Sequence, residues 1–387
     1  MIELVILIFV FVVSFVLSMS IGAGSTGSTP FAPAVGANAI SILRAAFIVG
    51  ILSFTGAILQ GYSIAETIGT GLIHNVNLTS LDISIVLLIG AVFMILGISK
   101  GYPIATAFTF IGAFIGAGLA AGGTPVISTY INIAIFWTVG PIVAIVLSYS
   151  TLKLLLSNKI NNTYILGLIT TIVSMILMNT EFNIPFKGMG KPSILIANTV
   201  LGLSSTWSYI ITIGFSLLLG YITYLKVSKN QKEGINKFLL ILGSIVAFSA
   251  GASQVGIPIG PLIPVTDTLP IPSISIFILG GFGLLLGSWV AAPKMIKAVS
   301  SDYASLGPRR SVSALFPAFL IAQTAVIFGF PISFNQIIIS SIIGTGLAVD
   351  KDSDTIGKEK IMYTLFIWLL SLIVAFILGY GIIYLIH

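Results

Sequence analysis

The chain has 387 residues, 57% hydrophobic and only 7% charged, with Lys+Arg 17 against Asp+Glu 11 and no cysteine. A soluble domain carries about a quarter charged residues to face water, so this composition excludes a water-covered globule and puts the surface in lipid. Zero cysteines exclude disulfides, thiolate metal sites and thiol catalysis, and the basic residues fall in short connectors, a membrane-topology pattern rather than a nucleic-acid footprint.

The apolar runs are continuous rather than alternating, which predicts helices and not a barrel. The first, over 3–20, lacks the basic flank of a signal peptide and reads as a retained helix. Others are expected at 39–60, 82–99, 103–121, 126–152, 162–179, 206–225, 238–250, 274–293, 311–329, 331–348 and 361–386. Most approach the ~20 residues that span a hydrocarbon core. The most polar connector, 226–237, holds Lys226, Lys229, Lys232 and Lys237 against Glu233 and is expected to be a basic cytoplasmic loop. The stretch 294–310, with Lys294, Lys297, Arg309 and Arg310, is expected on the same side, whereas Lys153 and Lys159 do not fit a simple alternation. The expected domains are an N-terminal transmembrane repeat with linking helices (1–225), the basic loop (226–237) and a C-terminal transmembrane repeat (238–387).

An internal repeat organises these segments. Gly22-Ala23-Gly24-Ser25-Thr26-Gly27-Ser28-Thr29-Pro30 is echoed by Gly251-Ala252-Ser253-Gln254-Val255-Gly256-Ile257-Pro258, with Gly22 and Gly251 229 residues apart. Tyr102-Pro103-Ile104-Ala105-Thr106 is echoed by Phe330-Pro331-Ile332-Ser333-Phe334, with Pro103 and Pro331 228 residues apart. A Gly/Ser/Thr/Pro run breaks a membrane helix, and broken backbone at that depth is tolerated only inside protein or beside a polar cavity. Matched interruptions in two halves point to a transporter binding site. The predicted fold is therefore an all-α polytopic membrane protein of two inverted-topology repeats, with broken helices or re-entrant hairpins and about 10–12 membrane segments.

Half-helix N-termini attract anions through free N–H groups and the dipole. The hydroxyls of Ser25, Thr26, Ser28, Thr29, Thr106, Ser253 and Ser333 and the amides of Gln254, Asn335 and Gln336 are candidate donors to an anion. Small residues also serve close helix packing, the reading preferred for Gly112, Gly116, Gly118 and Gly344. Pro103 and Pro331 also read as plain helix starts.

Taken together these motifs resemble the inorganic phosphate transporter (PiT) family, with its GANDVAN-like and PVSTTH-like segments in each half. Phe248 to Pro261 follows the pattern FSHGANDVANAIGP, and Pro103 to Gly118 and Pro331 to Gly346 have the shape of the second motif. The resemblance covers nearly the whole chain and implies a secondary transporter (permease) for inorganic phosphate, working by alternating access as a sodium or proton symporter. Departures are substantial. The family's motif aspartates align with Ser25 and Gln254, its motif asparagines with Gly24, Ser253, Ser28 and Ile257, its second-helix glutamate with Ser53, and its histidines with Phe108 and Gln336. Thr106 and Ser333 match, while Ala105, Ala107, Phe334 and Asn335 do not. The implied substrate-binding set is Ser25, Thr26, Ser28, Thr106, Ser253, Gln254, Ser333, Asn335 and Gln336, with Ser25 and Gln254 as weak sodium ligands, and no resident cofactor or other metal. Sulfate or another oxyanion competes as substrate, and a non-transporting paralogue is a further alternative.

Among remaining residues, His74 and His387 are unsuited to a metal pair, and Glu66, Asp82 and Asp267 are read as interfacial. Arg44 is expected to snorkel, Trp137, Trp207 and Trp289 to join an aromatic belt, and Asp350, Asp352 and Asp354 to lie in a solvated loop. Nothing here forms a catalytic constellation, so an enzyme is not expected. The expected partners are phosphate or sulfate, the bilayer of a prokaryotic cell membrane and, as an open option, a second copy of the chain.

Overall fold

Apolar runs of this length have no solvent for their backbone except themselves, so they coil. The computed structural model describes residues 2–76, 78–157, 160–184, 188–266, 269, 271–303, 306–349 and 358–387. Lys159, Asp267 and the acidic Asp350, Asp352 and Asp354 lie outside the described residues. In chain order, α1 (Ile2–Ile21) runs into a π-helical turn over Gly22–Thr26 and a short α2 (Ala32–Gly36). There follow α3 (Ile42–Gln60), α4 (Tyr62–Thr70), α5 (Ser80–Lys100), α6 (Thr106–Ala120) and α7 (Ile127–Leu156). A linking set comprises α8 (Asn162–Asn179), α9 (Pro192–Leu195) and α10 (Ser208–Lys229). The second half holds α11 (Gln231–Gln254), the short turns α12 (Gly256–Ile259) and α13 (Ile263–Thr266), α14 (Ile274–Val290), α15 (Ala292–Asp302), α16 (Pro308–Phe328), α17 (Phe334–Leu347) and α18 (Lys358–Ile386). The only sheets among the described residues are two-stranded and antiparallel: β1 (Ile73–His74) on β2 (Thr124–Pro125), and β3 (Phe182–Ile184) on β4 (Gly188–Gly190).

Among the described residues 9 helices are long and apolar enough to cross a membrane, or 10 if α14 and α15, bent by 66°, form one span. α6 and α17 are shorter, at 15 and 14 residues. A rise of 1.5 Å per residue makes each a little over ~20 Å long, too short for a hydrocarbon core of ~30 Å, so they enter the layer without crossing it alone.

Both halves stop and restart in the same way. α5 ends at Gly101 and α16 at Gly329, each in the left-handed conformation (φ 73° and 70°) that glycine adopts without strain. The next residue folds its N–H back, Tyr102 to Gly97 O and Phe330 to Ala325 O. Pro103 and Pro331 then prevent resumption until α6 and α17 begin.

The halves are not side by side but interleaved. α1 packs on α14 of the other half, and α11 on α3. α18 packs on α6, and α7 on α17. The repeated motif glycine sits at each crossing: a Cβ on Gly22 would run into the Leu284 carbonyl, and one on Gly251 into the Ser53 carbonyl. Gly287 and Gly56 meet Met19 O and Phe248 O in return. The motif glycines thus do packing work that the sequence reading reserved for Gly112, Gly116, Gly118 and Gly344, which also lie against neighbouring elements.

The stretch 226–237 differs from the expected loop. It is helical on either side of Asn230, whose side chain accepts from Glu233 N at 3.3 Å to start α11. Asparagine is a strong N-cap and lysine and glutamate are good helix formers, so the charged run tightens into a turn. Gln231 Nε2 donates to Asn161 Oδ1 at 3.2 Å, bringing the start of α8 to this end of the molecule. Lys153, in the last turn of α7, therefore belongs with the basic group from which simple alternation separated it. Two spans, α8 and α10, lie between it and 226–237 and return the chain to the same end.

Gly251→Ala is expected to cost about 1–3 kcal/mol, because α3 backbone must shift to admit the methyl. Gly214→Ala, with open space around its Cβ, is expected to leave stability unchanged or raised. Melting temperatures of the two purified variants in one detergent check this; equal values would refute the backbone contact as a constraint.

Candidate functional site

Each restart after proline leaves a few extended residues with free carbonyls deep inside protein. These must find donors. Asn335, at the start of α17, donates both amide hydrogens across the halves, to Ile104 O at 2.8 Å and Gly24 O at 2.9 Å. Gln254, the last residue of α11, donates to Ile332 O at 2.7 Å. The adjoining carbonyls are served by indoles from the opposite half: Trp137 Nε1 to Pro331 O at 3.0 Å and Trp368 Nε1 to Pro103 O at 2.8 Å. The π-turn 22–26, the segments 102–106 and 331–336 and the end of α11 thereby converge on one buried region.

All candidate site residues are buried, Gln336 being the most exposed at 8%. Several hydroxyls are already engaged. Ser28 donates to Ser25 O at 3.2 Å and Ser253 to Ala250 O at 3.1 Å. Thr106 Oγ1 contacts Met94 Sδ at 3.5 Å, and Ser333 Oγ caps its own helix at Gln336 N, 3.5 Å away. Thr29 donates to Ser25 O at 3.0 Å. Left without a partner are Ser25 Oγ, Thr26 Oγ1, Gln254 Oε1, Asn335 Oδ1 and Gln336 Oε1.

The sequence reading took the amides as donors to an anion. In the structure their N–H groups are turned to backbone carbonyls, Gln336 Nε2 reaching Trp137 O at 3.1 Å, and their oxygens are open. The hydroxyls without any partner are Ser25 and Thr26, and Ser333, whose Oγ only accepts, keeps its O–H free to donate. The backbone N–H groups of Thr106 and Ala107 at the start of α6 and of Phe334 and Asn335 at the start of α17 add to them, those of Phe108 and Gln336 being already bonded to Ala105 O and Ser333 Oγ. The side chains combine free hydroxyls with neutral acceptors and carry no formal charge.

Sequence reasoning missed a second polar cluster alongside. Gln323 Nε2 donates to Gln60 Oε1 at 3.1 Å and Ser249 Oγ at 2.7 Å, all three residues being buried. A lone glutamine within an apolar run was the available signal, because polar groups inside the membrane are costly. Ser53 Oγ lies 3.4 Å from Thr26 O and 3.3 Å from Ala247 O, joining α3 to the π-turn and to α11. Trp137 also departs from the expected belt: it stacks on Phe108 with ring centroids 4.0 Å apart. Arg44 and Glu66 are exposed. Asp82 is buried at 1% exposure, caps α5 through Thr79, and lies 3.3 Å from His387 Nε2. No group of three or more His, Cys, Asp or Glu that could hold a metal occurs among the described residues. A cavity of about 1160 Å³, edged by Glu3, His74, Thr79, Pro261 and Pro264, opens at the end opposite the basic turn. None of the candidates lines it.

A model described as the phosphate transporter family matches residues 21–379. A protein of Pyrococcus furiosus named "putative phosphate permease" is 25% identical, covering 95% of this chain and 92% of its own length. A Haemophilus influenzae protein of the same name is 26% identical, covering 87% of this chain and 86% of its own. A solved structure named "the sodium-dependent phosphate transporter" shares the fold, with TM-score 0.81, 21% identity and coverage of 99% of this chain and 98% of that one.

Asn335→Ala removes the donor from two buried carbonyls, at about 1–3 kcal/mol for each stranded group. A clear drop in melting temperature is expected, larger than that of Ser28→Ala, whose hydroxyl bonds only within its own turn. Equal melting curves would remove Asn335 as the clamp between the halves.

Proposed function

The chain belongs to the phosphate transporter family, and on that premise we propose that it is a permease carrying inorganic phosphate across a cell membrane by alternating access. It is a multi-pass membrane protein, and its family consists of transporters rather than enzymes. The observation that carries the reading is the convergence of interrupted segments from both halves on buried, unpartnered polar atoms. Broken backbone in corresponding places of two repeats is where secondary transporters hold substrate.

Inverted topology is part of this reading. α1 starts beside the large cavity, through Glu3, whereas its counterpart α11 starts at the opposite end, where Gln231 meets Asn161. α5 starts at the cavity end with Thr79 and Ser80 and finishes where Ser99 O accepts from Lys294.

The open atoms also bear on which oxyanion is carried. Hydroxyls of Ser25 and Thr26 and helix-start N–H groups donate to anion oxygens. Open amide oxygens on Gln254, Asn335 and Gln336 require a donor or a cation. Protonated phosphate supplies a donor; sulfate has none at neutral pH, and would leave those buried acceptors unpaired. This favours phosphate. The same oxygens are weak ligands for a co-transported Na⁺, without the carboxylates the family places at Ser25 and Gln254. Replacing those carboxylates by neutral groups lowers the need for a compensating cation, so coupling is expected to be shallow.

In proteoliposomes, uptake of radiolabelled phosphate is expected to exceed that of sulfate and to fall roughly tenfold in Ser25→Ala, the loss of about one hydrogen bond to a charged group. Unchanged uptake would take Ser25 out of the site. Gln254→Asp restores a negative ligand, and phosphate uptake should then depend more steeply on sodium concentration than in the wild type; identical sodium curves would disprove the cation role of that position.

A further inference from the structure

Away from the broken helices, a groove of about 510 Å³ opens between α8, α10 and α11 at the basic end. Its mouth is formed by Lys226, Lys229 and Lys237 with Glu233 and Asn230. Lys237 is engaged with Glu233 at 2.6 Å, so that pair is neutral, and the exposed Lys226 and Lys229 leave the mouth with excess positive charge. Below it the walls turn apolar: Val173 from α8 and Phe238, Ile241, Leu242 and Ile245 from α11. From Lys237 to Ile245 the groove descends roughly 12 Å along α11, at 1.5 Å per residue. Thr170 and Thr223, hydrogen-bonded at 3.1 Å, join α8 to α10 on the same groove.

We propose that this groove is a binding site for an anionic phospholipid, its headgroup phosphate held by Lys226 and Lys229 and one acyl chain lying against Phe238, Leu242 and Ile245. Charge decides for an anionic over a zwitterionic headgroup, since basic pockets between helices at the membrane surface recognise anionic lipids. The apolar walls decide for a lipid over a free anion: a dissolved phosphate gains nothing from a channel of valine, leucine and phenylalanine, whereas an acyl chain is at home there. The lysines close the last turn of α10 and follow the first turn of α11, the level at which headgroups lie. The occupant would wedge the linking helices against the first helix of the second half, α11, whose far end carries Gln254.

The test is lipid binding and stands apart from transport. Full-length protein in phosphatidylcholine nanodiscs is titrated with phosphatidylglycerol, and bound lipid is counted by native mass spectrometry. Wild type is expected to retain phosphatidylglycerol in preference to phosphatidylcholine. Lys226→Gln/Lys229→Gln should weaken this by roughly fivefold for each charge removed, while Lys153→Gln, elsewhere on the basic end, should not. Millimolar inorganic phosphate should fail to displace the lipid. Equal retention of the two lipids by wild type, an equal loss in Lys153→Gln, or displacement by inorganic phosphate would each overturn the assignment.

Discussion

Every buried backbone carbonyl in this protein must find a donor without help from water, and the fold is organised around the places where helix geometry cannot provide one. Interrupting α5 and α16 with glycine and proline exposes Pro103, Ile104, Pro331 and Ile332 carbonyls in the interior. Each is met by a side chain from elsewhere: Trp368, Asn335, Trp137 and Gln254. Three of these four donors come from the opposite half of the chain, and Gln254 comes from a different element of the same half. A break in one half is therefore stabilised mainly by the other. Hydrogen bonds of this kind contribute modestly when made and cost more when left unmade, so their value lies in fixing which conformation the broken segments adopt.

Interleaving extends the same dependence to packing. α1 lies on α14 and α3 on α11, with the repeated glycines Gly22 and Gly251 bringing backbone against backbone. Without a hydrophobic drive between helices in lipid, such close van der Waals contact is a principal attraction. Because these contacts admit no side chain, they resist gradual sliding. Rocking of one bundle against another would then be carried by surfaces other than these crossings, moving the crossed pairs as units.

Much of the fold was legible in the chain because duplication repeats its own punctuation. Tyr102-Pro103 and Phe330-Pro331 stood out as a repeat, but they read as helix starts; the glycines before them, which end α5 and α16, carried the other half of the signal. The apolar runs 103–121 and 331–348 did not mark α6 and α17 as short; the helices are 15 and 14 residues because extended backbone follows each proline. Less legible was anything decided by partners far away in sequence. The orientation of the Asn335 and Gln254 amides depends on carbonyls of residues 24, 104 and 332, which no local pattern connects to them. Trp137 resembles any interfacial tryptophan until Pro331 is placed beside it. The basic run 226–237 looked like a loop because charge was read as solvent exposure, although lysine and glutamate extend helices well.

Amide orientation has the largest chemical consequence. A primary amide that spends its N–H groups on structure offers only an acceptor to its ligand. At Gln254, Asn335 and Gln336 that leaves neutral oxygens beside the hydroxyls of Ser25 and Thr26, where aspartates stand in the family motif. A carboxylate pair would repel a phosphate dianion and oblige cations to enter with it; neutral acceptors impose no such condition and instead reward a proton on the substrate. In the proposed site, substituting amide and hydroxyl for carboxylate would shift the burden of charge balance from the protein's cavity to the phosphate's own protonation. The scaffold takes part in the change: the Ile332 carbonyl is held by the Gln254 amide itself, a donor that a carboxylate could not supply, while Trp368, Asn335 and Trp137 hold the other three.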